Sequence, residues 1–247
     1  MRIEKVEGII INEKKYGESS KIIDIITKEH GLISVMAKGA RKIKSSLGGV
    51  SSKLTYGYFH IYYKKDKLST LIEVDIIDSF KEIRKDLIKI SYVSFIFELV
   101  QQVIKQDLIN KDYNQLYIDF ISSIIKINEG YDSQIITNIL ELKVLPYLGV
   151  NPIIDSCANC GDVTSIITAS ADHYGLICKE CHKDEYIVSD KTIKLLRMFY
   201  YVDIAKISKL DISSKVKNEI NYFIDDFYDK HTGLYLKSKQ FIKMVSN

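Results

Sequence analysis

The chain has 247 residues, 46% hydrophobic and 27% charged, the balance of a globular protein of one or two domains with real cores. Its 35 basic and 32 acidic residues leave a formal charge of +3, too small to argue for nucleic acid unless the charges are clustered. The opening Met1-Arg2-Ile3-Glu4-Lys5-Val6-Glu7 mixes both signs and later apolar runs are broken every few residues, so neither a signal peptide nor a membrane span is expected and the protein is read as cytoplasmic.

Residues 1 to about 79 read as strands: Val6–Ile11, Lys21–Thr27, Leu32–Ala37 after Gly31, Leu54–Tyr63 and Ser69–Ile77. These runs are rich in β-branched and aromatic residues and are bounded by turn formers. Five short strands fit a small barrel better than an open sheet, because closure removes exposed edges. A five-stranded OB-fold is expected at 1–79, with an SH3-like barrel as the alternative.

The charge is clustered inside this region. No acidic residue lies between Glu29 and Asp66, whereas Lys38, Arg41, Lys42, Lys44, Lys53, Lys64 and Lys65 do. The densest part, Lys38 to Gly49, follows the third strand and is flexible by composition. Such a loop suits a phosphate backbone, with Ser45 and Ser46 as further donors. Tyr56, Tyr58, Phe59, Tyr62 and Tyr63 offer ring faces for bases, although strand alternation must bury some of them. A solvated loop in a lysine-rich chain is the alternative; the disappearance of acids where bases gather favours nucleic acid.

From about residue 80 the apolar period changes from two to near 3.6. Tyr92, Phe95, Ile96, Leu99 and Val103 share one helical face, as do Leu116, Tyr117, Phe120, Ile121 and Ile124. A third helix runs through Ile135, Ile139, Leu142 and Leu145 towards Gly149 and stops at Asn151-Pro152. Two more follow, over Thr192 to Tyr200 and through Val216, Ile220, Phe223, Ile224 and Phe227, with Gly233 as a stop. The stripes are expected to be core, so the region 80–247 reads as a helical domain and the fold class as α+β.

Residues 151–188 fit neither period and look like an insertion in the helical domain. They hold all four cysteines, as Cys157-Ala158-Asn159-Cys160 and Cys178-Lys179-Glu180-Cys181, with 17 residues between the pairs. Two such knuckles supply the four soft ligands of a tetrahedral zinc ion, and Gly161 can take the positive φ that turns backbone N–H groups towards sulfur. Disulfides, a redox C-x-x-C and an iron–sulfur cluster are the alternatives. A reducing cytoplasm disfavours the first, and the missing βαβ unit disfavours the second. One structural zinc ion is expected, since four thiolates leave no open coordination position. His173 and His182 lie nearby and are expected to be surface residues.

Taken in order, several segments resemble the RecO family of recombination mediators. They are Glu7-Gly8-Ile9-Ile10-Ile11 with Tyr16-Gly17-Glu18-Ser19-Ser20-Lys21, then Gly31-Leu32 and Lys38-Gly39-Ala40-Arg41. Next come Leu140 to Gly149 leading into Asp155-Ser156-Cys157-Ala158-Asn159-Cys160-Gly161, and finally Leu236-Lys237-Ser238-Lys239-Gln240-Phe241. The resemblance implies an N-terminal OB-fold, a helical domain and an inserted zinc module. It also implies a DNA repair role in the bacterial cytoplasm, at the nucleoid: binding single- and double-stranded DNA, annealing complementary strands and loading recombinase onto DNA coated by single-strand-binding protein. The implied partners are RecR and the acidic C-terminal tail of single-strand-binding protein. Lys38 and Arg41 carry over as DNA contacts, and Lys42 and Lys44 extend them by charge. Lys237 and Lys239 are candidates for an anionic ligand, against plain surface lysines. After Leu47 the chain departs from the pattern it resembles: Gly48-Gly49-Val50-Ser51-Ser52-Lys53-Leu54 stands where many members of that family have Gln-Pro-Phe.

Two other readings compete. One is a generic OB-plus-zinc accessory factor that touches RNA. The other is an enzyme, but no Lys-x-Asp-Gly, P-loop, G-x-S-x-G or H-E-x-x-H motif occurs, so a non-enzymatic role is expected.

Overall fold

The structure is a computed structural model that describes residues 2–106 and 113–245. The chain forms two compact units, Met1–Asp86 with Asp112–Tyr117, and Leu87–Lys111 with Ile118–Asn247.

The first unit is a closed barrel of β1 (Arg2–Tyr16), β2 (Ser20–Thr27), β3 (Gly31–Ala37), β4 (Tyr56–Tyr63) and β5 (Ser69–Asp78), in the order β1-β2-β3-β5-β4. β1 also pairs with β4, and the short parallel pairing Val35↔Ser69 and Met36↔Thr70 closes the ring. This is the five-stranded OB-fold, not an SH3-like barrel. Inward side chains, among them Val6, Ile10, Ile23, Val35, Phe59 and Ile61, fill it and are almost wholly buried. Strand β1 is longer than Val6–Ile11 because its flanks are paired without being buried. A bulge between Ile10 and Asn12 bends it, so Arg2–Ile9 pairs with β4 and Gly8–Tyr16 pairs with β2. Gly57 lies close against β5: a Cβ there would stand 2.3 Å from the Asp75 carbonyl oxygen across the β4–β5 pair. The short helix α1 (Lys81–Arg84) follows buried Phe80.

The second unit is helical. It contains α2 (Leu87–Gln106), most of α3 (Asn114–Asn128), α4 (Ser133–Val144), α5 (Asp190–Tyr201), α6 (Ser214–His231) and α7 (Lys237–Val245). The apolar stripes read from the sequence are buried on these helices. α4 is capped by Asp132, which accepts from the Ile135 N–H at 3.0 Å, and α5 by Ser189, which accepts from the Thr192 N–H. A 3-10 turn, Leu145–Leu148, ends at Gly149 with φ 77. Among the described residues only α2 is long and apolar enough to cross a membrane, a more continuous apolar run than the sequence reading allowed. Nine of its residues, including Phe95, Ile96 and Leu99, are buried inside the protein, as befits a core helix.

Residues 151–188 are not without regular structure. They form β6 (Ile153–Cys157), β7 (Ile166–Ser170) and β8 (Gly175–Cys178), in the order β6-β8-β7. All four β8 residues are buried, so no alternation marked this strand in the sequence. Gly175 permits the close pairing of β8 with β6, since a Cβ there would stand 2.2 Å from the Ile153 carbonyl oxygen.

Candidate metal centre and basic loop

Cys157 ends β6 and Cys178 ends β8, while Cys160 and Cys181 lie one turn beyond each strand. Parallel pairing of the two strands therefore brings the two knuckles together. The four sulfurs lie within 4.8 Å of one another, with Cys160 and Cys178 3.6 Å apart, and all four are free thiols. Four sulfurs about 2.3 Å from one tetrahedral zinc ion would stand about 3.8 Å apart, so the set fits such an ion. The knuckles have related turns: the Gly161 N–H donates to the Cys157 carbonyl at 2.9 Å, and the His182 N–H to the Cys178 carbonyl at 3.0 Å. Gly161 takes φ +79 to make the first of them.

Charge within the cluster points the same way. Burial pushes the Cys157 thiol up, but backbone donors at Cys178, Cys160 and Asn159 bring it down to about 6. Cys181 is pushed up to about 12 by its bond with Cys160 and by burial. Four thiolates cannot share so small a volume without a cation between them. The first knuckle is braced by Asp162, whose carboxylate accepts from the N–H and hydroxyl of both Thr164 and Ser165 at 2.6–3.2 Å. Those bonds, led by the Ser165 hydroxyl, hold it well below the usual carboxylate range.

His173 and His182 are not plain surface residues. Their side chains are about a quarter exposed, and both bond to Glu185: His173 Nε2 to Oε1 at 3.0 Å, His182 Nε2 to the backbone oxygen at 2.8 Å. They brace the module and do not join the four sulfurs, which alone lie close enough together to hold a metal ion among the described residues.

In the barrel unit, the stretch after β3 is a chain of turns and not the flexible loop its composition suggests. The Lys42, Ser45, Gly48 and Ser51 N–H groups each donate to a carbonyl three or four residues earlier, at 3.0–3.3 Å. Ala40 is buried in the barrel core and Leu47 packs against it. Arg41 ties the loop to the β1–β2 turn, its N–H donating to the Ser19 carbonyl at 2.8 Å and its guanidinium to the Gly17 carbonyl at 3.1 Å. Lys38, Arg41, Lys42 and Lys44 remain exposed around this anchored backbone. Lys53 differs: burial lowers its pKa, and its carbonyl accepts from Arg84 Nη2 at 2.6 Å.

The aromatic residues of β4 divide as alternation requires. Phe59 is core, Tyr63 packs against the core and stacks on His30 at 4.0 Å, and the Tyr56 hydroxyl donates to Glu7 at 2.5 Å. Tyr58 and Tyr62 face out, but Lys5 covers the Tyr58 ring at 4.5 Å and pairs with Asp75. That face of the strand carries its own carboxylate, whereas the stretch after β3 carries none.

Lys239 does not wait for an anion from outside. Its Nζ lies 2.6 Å from Asp225 and 3.4 Å from buried Glu141, while Lys237 stays exposed. The Glu98 carboxylate accepts from the Lys237 N–H at 3.0 Å and the Ser238 N–H at 2.8 Å, capping α7. Glu98 and Glu141 lie roughly 100 residues or more before the helix they hold, a distance no local pattern could span.

Residues 1–80 match the family model described as Recombination protein O N terminal, and residues 84–240 match Recombination protein O C terminal. The chain is 36% identical over 244 residues to a DNA repair protein RecO of Listeria monocytogenes, covering 98% of this chain and 94% of that one. It is 37% identical over 246 residues to a DNA repair protein RecO of Bacillus velezensis, covering 98% and 95%.

Proposed function

The chain belongs to the RecO family of DNA repair proteins, and from that premise we propose that it is a recombination mediator that works by charge and not by catalysis. Residues 1–79 act as the nucleic-acid-binding domain. Residues 80–247 act as the partner-binding body, with the module at about 151–188 inserted in it. Lys38, Arg41, Lys42 and Lys44 neutralise phosphates of single- or double-stranded DNA. Because the turns and the Arg41 anchor already order the loop, less conformational entropy is lost on binding. Neutralising two strands at once lowers their mutual repulsion and lets complementary bases pair. The helical body holds the acidic tail of single-strand-binding protein and meets RecR, raising the mediator's concentration on coated DNA where recombinase is to be loaded. No bond is made or broken, so no catalytic residue is assigned. The place of action is the bacterial cytoplasm, at the nucleoid.

Cys157, Cys160, Cys178 and Cys181 would hold one structural zinc ion. When bound it supplies a four-thiolate crosslink between the two knuckles and no open coordination position.

One observation carries this reading: four exposed cations stand on an anchored loop of an OB-fold barrel, in a stretch without acids. Binding of labelled single-stranded DNA as a function of salt tests it. With one phosphate neutralised by each of these four cations, affinity should fall about 50-fold between 50 and 200 mM salt. Replacing Lys38, Arg41, Lys42 and Lys44 together by Ala should weaken binding and flatten that slope. Unchanged binding, or a preference for RNA over DNA, would sink the assignment.

A further inference from the structure

Beside α6 the cysteine module borders a cavity of about 500 Å³. Its charge is opposite in sign to the +3 of the whole chain. Asp172, Asp184 and Glu185 enter it from the module, and Glu219 and Asp226 from α6. Lys230 is the one lysine or arginine in the lining, and it is already committed, 2.8 Å from Asp172 and 2.9 Å from Asp226. Two tyrosines, Tyr186 and Tyr222, complete the wall with 65% and 73% of their surface exposed. A site for DNA phosphates would be built with the reverse charge.

Glu219 shows that this acidity is built in. The residue is 8% exposed. Its Oε2 accepts from the Ser189 N–H and hydroxyl, both at 3.1 Å, and from the Thr192 hydroxyl. Its Oε1 is buried without a hydrogen bond, and the Lys215 ammonium stands beyond hydrogen-bond reach at 3.8 Å. A buried carboxylate oxygen without a donor is costly. Its charge, paired only loosely with Lys215, adds to the negative potential that a positively charged ligand made of donors would meet.

Two chemistries could answer, a metal ion or an organic cation. Among the described residues only the four cysteines converge closely enough to hold a metal, so the carboxylates here are spaced too widely for one. An organic cation fits. A guanidinium has five donors and no acceptor, pairs with carboxylates two bonds at a time and stacks on tyrosine faces. The cavity volume lies within the range of ordinary ligand pockets.

We propose that the cleft between the cysteine module and α6, walled by Tyr186 and Tyr222 and floored by Glu219, binds an arginine side chain on a basic segment of a partner protein. Charge complementarity selects that occupant over a nucleic acid. The site does not depend on the DNA-binding loop, so either assignment can fail without the other.

The test is an NMR titration of the ¹⁵N-labelled full chain, metal bound, with an acetylated and amidated Gly-Gly-Arg-Gly-Gly peptide. The same peptide with citrulline in place of arginine is the neutral control. The arginine peptide should shift amides around Glu219 and Tyr222 to saturation, and the citrulline peptide should not. Tyr222→Ala and Asp184→Asn alter exposed side chains, so the fold should survive; each should weaken peptide binding by about tenfold or more while DNA binding stays unchanged. Equal binding of the citrulline peptide, or full binding by both variants, would overturn the proposal. Self-association abolished by Tyr222→Ala would overturn it too, making a second copy of the chain the occupant.

Discussion

Glu141 is a carboxyl group that the fold holds against its ordinary chemistry. It is 2% exposed and shares one ammonium, that of Lys239, with Asp225. Burial pushes its pKa up to about 7; Lys239 pulls the other way, and the neighbouring Asp225 adds to the rise. From the ordinary value of 4.5 to about 7, the folded protein keeps a proton that the unfolded chain releases. The contribution of this one group to stability is therefore full below about pH 4.5 and is lost as pH rises through about 7, at up to about 1.4 kcal/mol per unit of pKa displacement. Glu141→Gln removes the titrating group and keeps its shape. Its melting temperature should change less than that of the parent between pH 5 and 7.5, and equal slopes would show that other groups set the dependence. At the cysteine cluster, Cys157→Ser would remove one of the four proposed ligands. Metal analysis should find the bound equivalent gone, and proteolysis should cut first within residues 151–188, because zinc in comparable small modules supplies on the order of 10–16 kcal/mol of folding free energy. Retention of a full equivalent of metal would rule out a four-thiolate site.

At the scale of elements, the barrel depends on close approach as much as on apolar burial. Gly57→Ala would put a Cβ 2.3 Å from a carbonyl oxygen of β5. The strands would have to part where β4 pairs with β5, at a cost on the order of 1–3 kcal/mol, read as a lower denaturant midpoint for the barrel unit. A midpoint within error of the parent would mean that the β4–β5 pairing yields there freely. Elements were legible in the sequence wherever burial repeated locally, as along α2 with Phe95, Ile96 and Leu99 or along β2 with Ile23, Ile25 and Ile26. They were not legible where pairing came without burial, as in the flanks of β1, or burial without alternation, as in β8. Helix α7 depends on Glu98 and Glu141, which no window around Lys237 contains. The clustering of the four cysteines was the most legible feature, since two C-x2-C knuckles carry most of their geometry in a few residues. The basic loop was half legible. Its charges stand in the sequence, whereas the order imposed by Ala40, Leu47 and the Arg41–Gly17 bond needs the folded barrel.

The whole molecule combines a cationic loop on a small barrel with a helical body that carries a cysteine module and an acidic cleft. Those charges lie in separate places in a chain whose net charge is only +3. Such a division suits a protein that must hold nucleic acid and protein partners together, which is the proposed work of a mediator. The most direct test is annealing, without ATP, of complementary strands coated with single-strand-binding protein, either intact or lacking its acidic C-terminal tail. The account predicts annealing on the intact coat and a loss of about tenfold or more on the tailless one, the scale of a lost second attachment. Equal rates on both coats, or no annealing by folded and metal-bound protein, would contradict it.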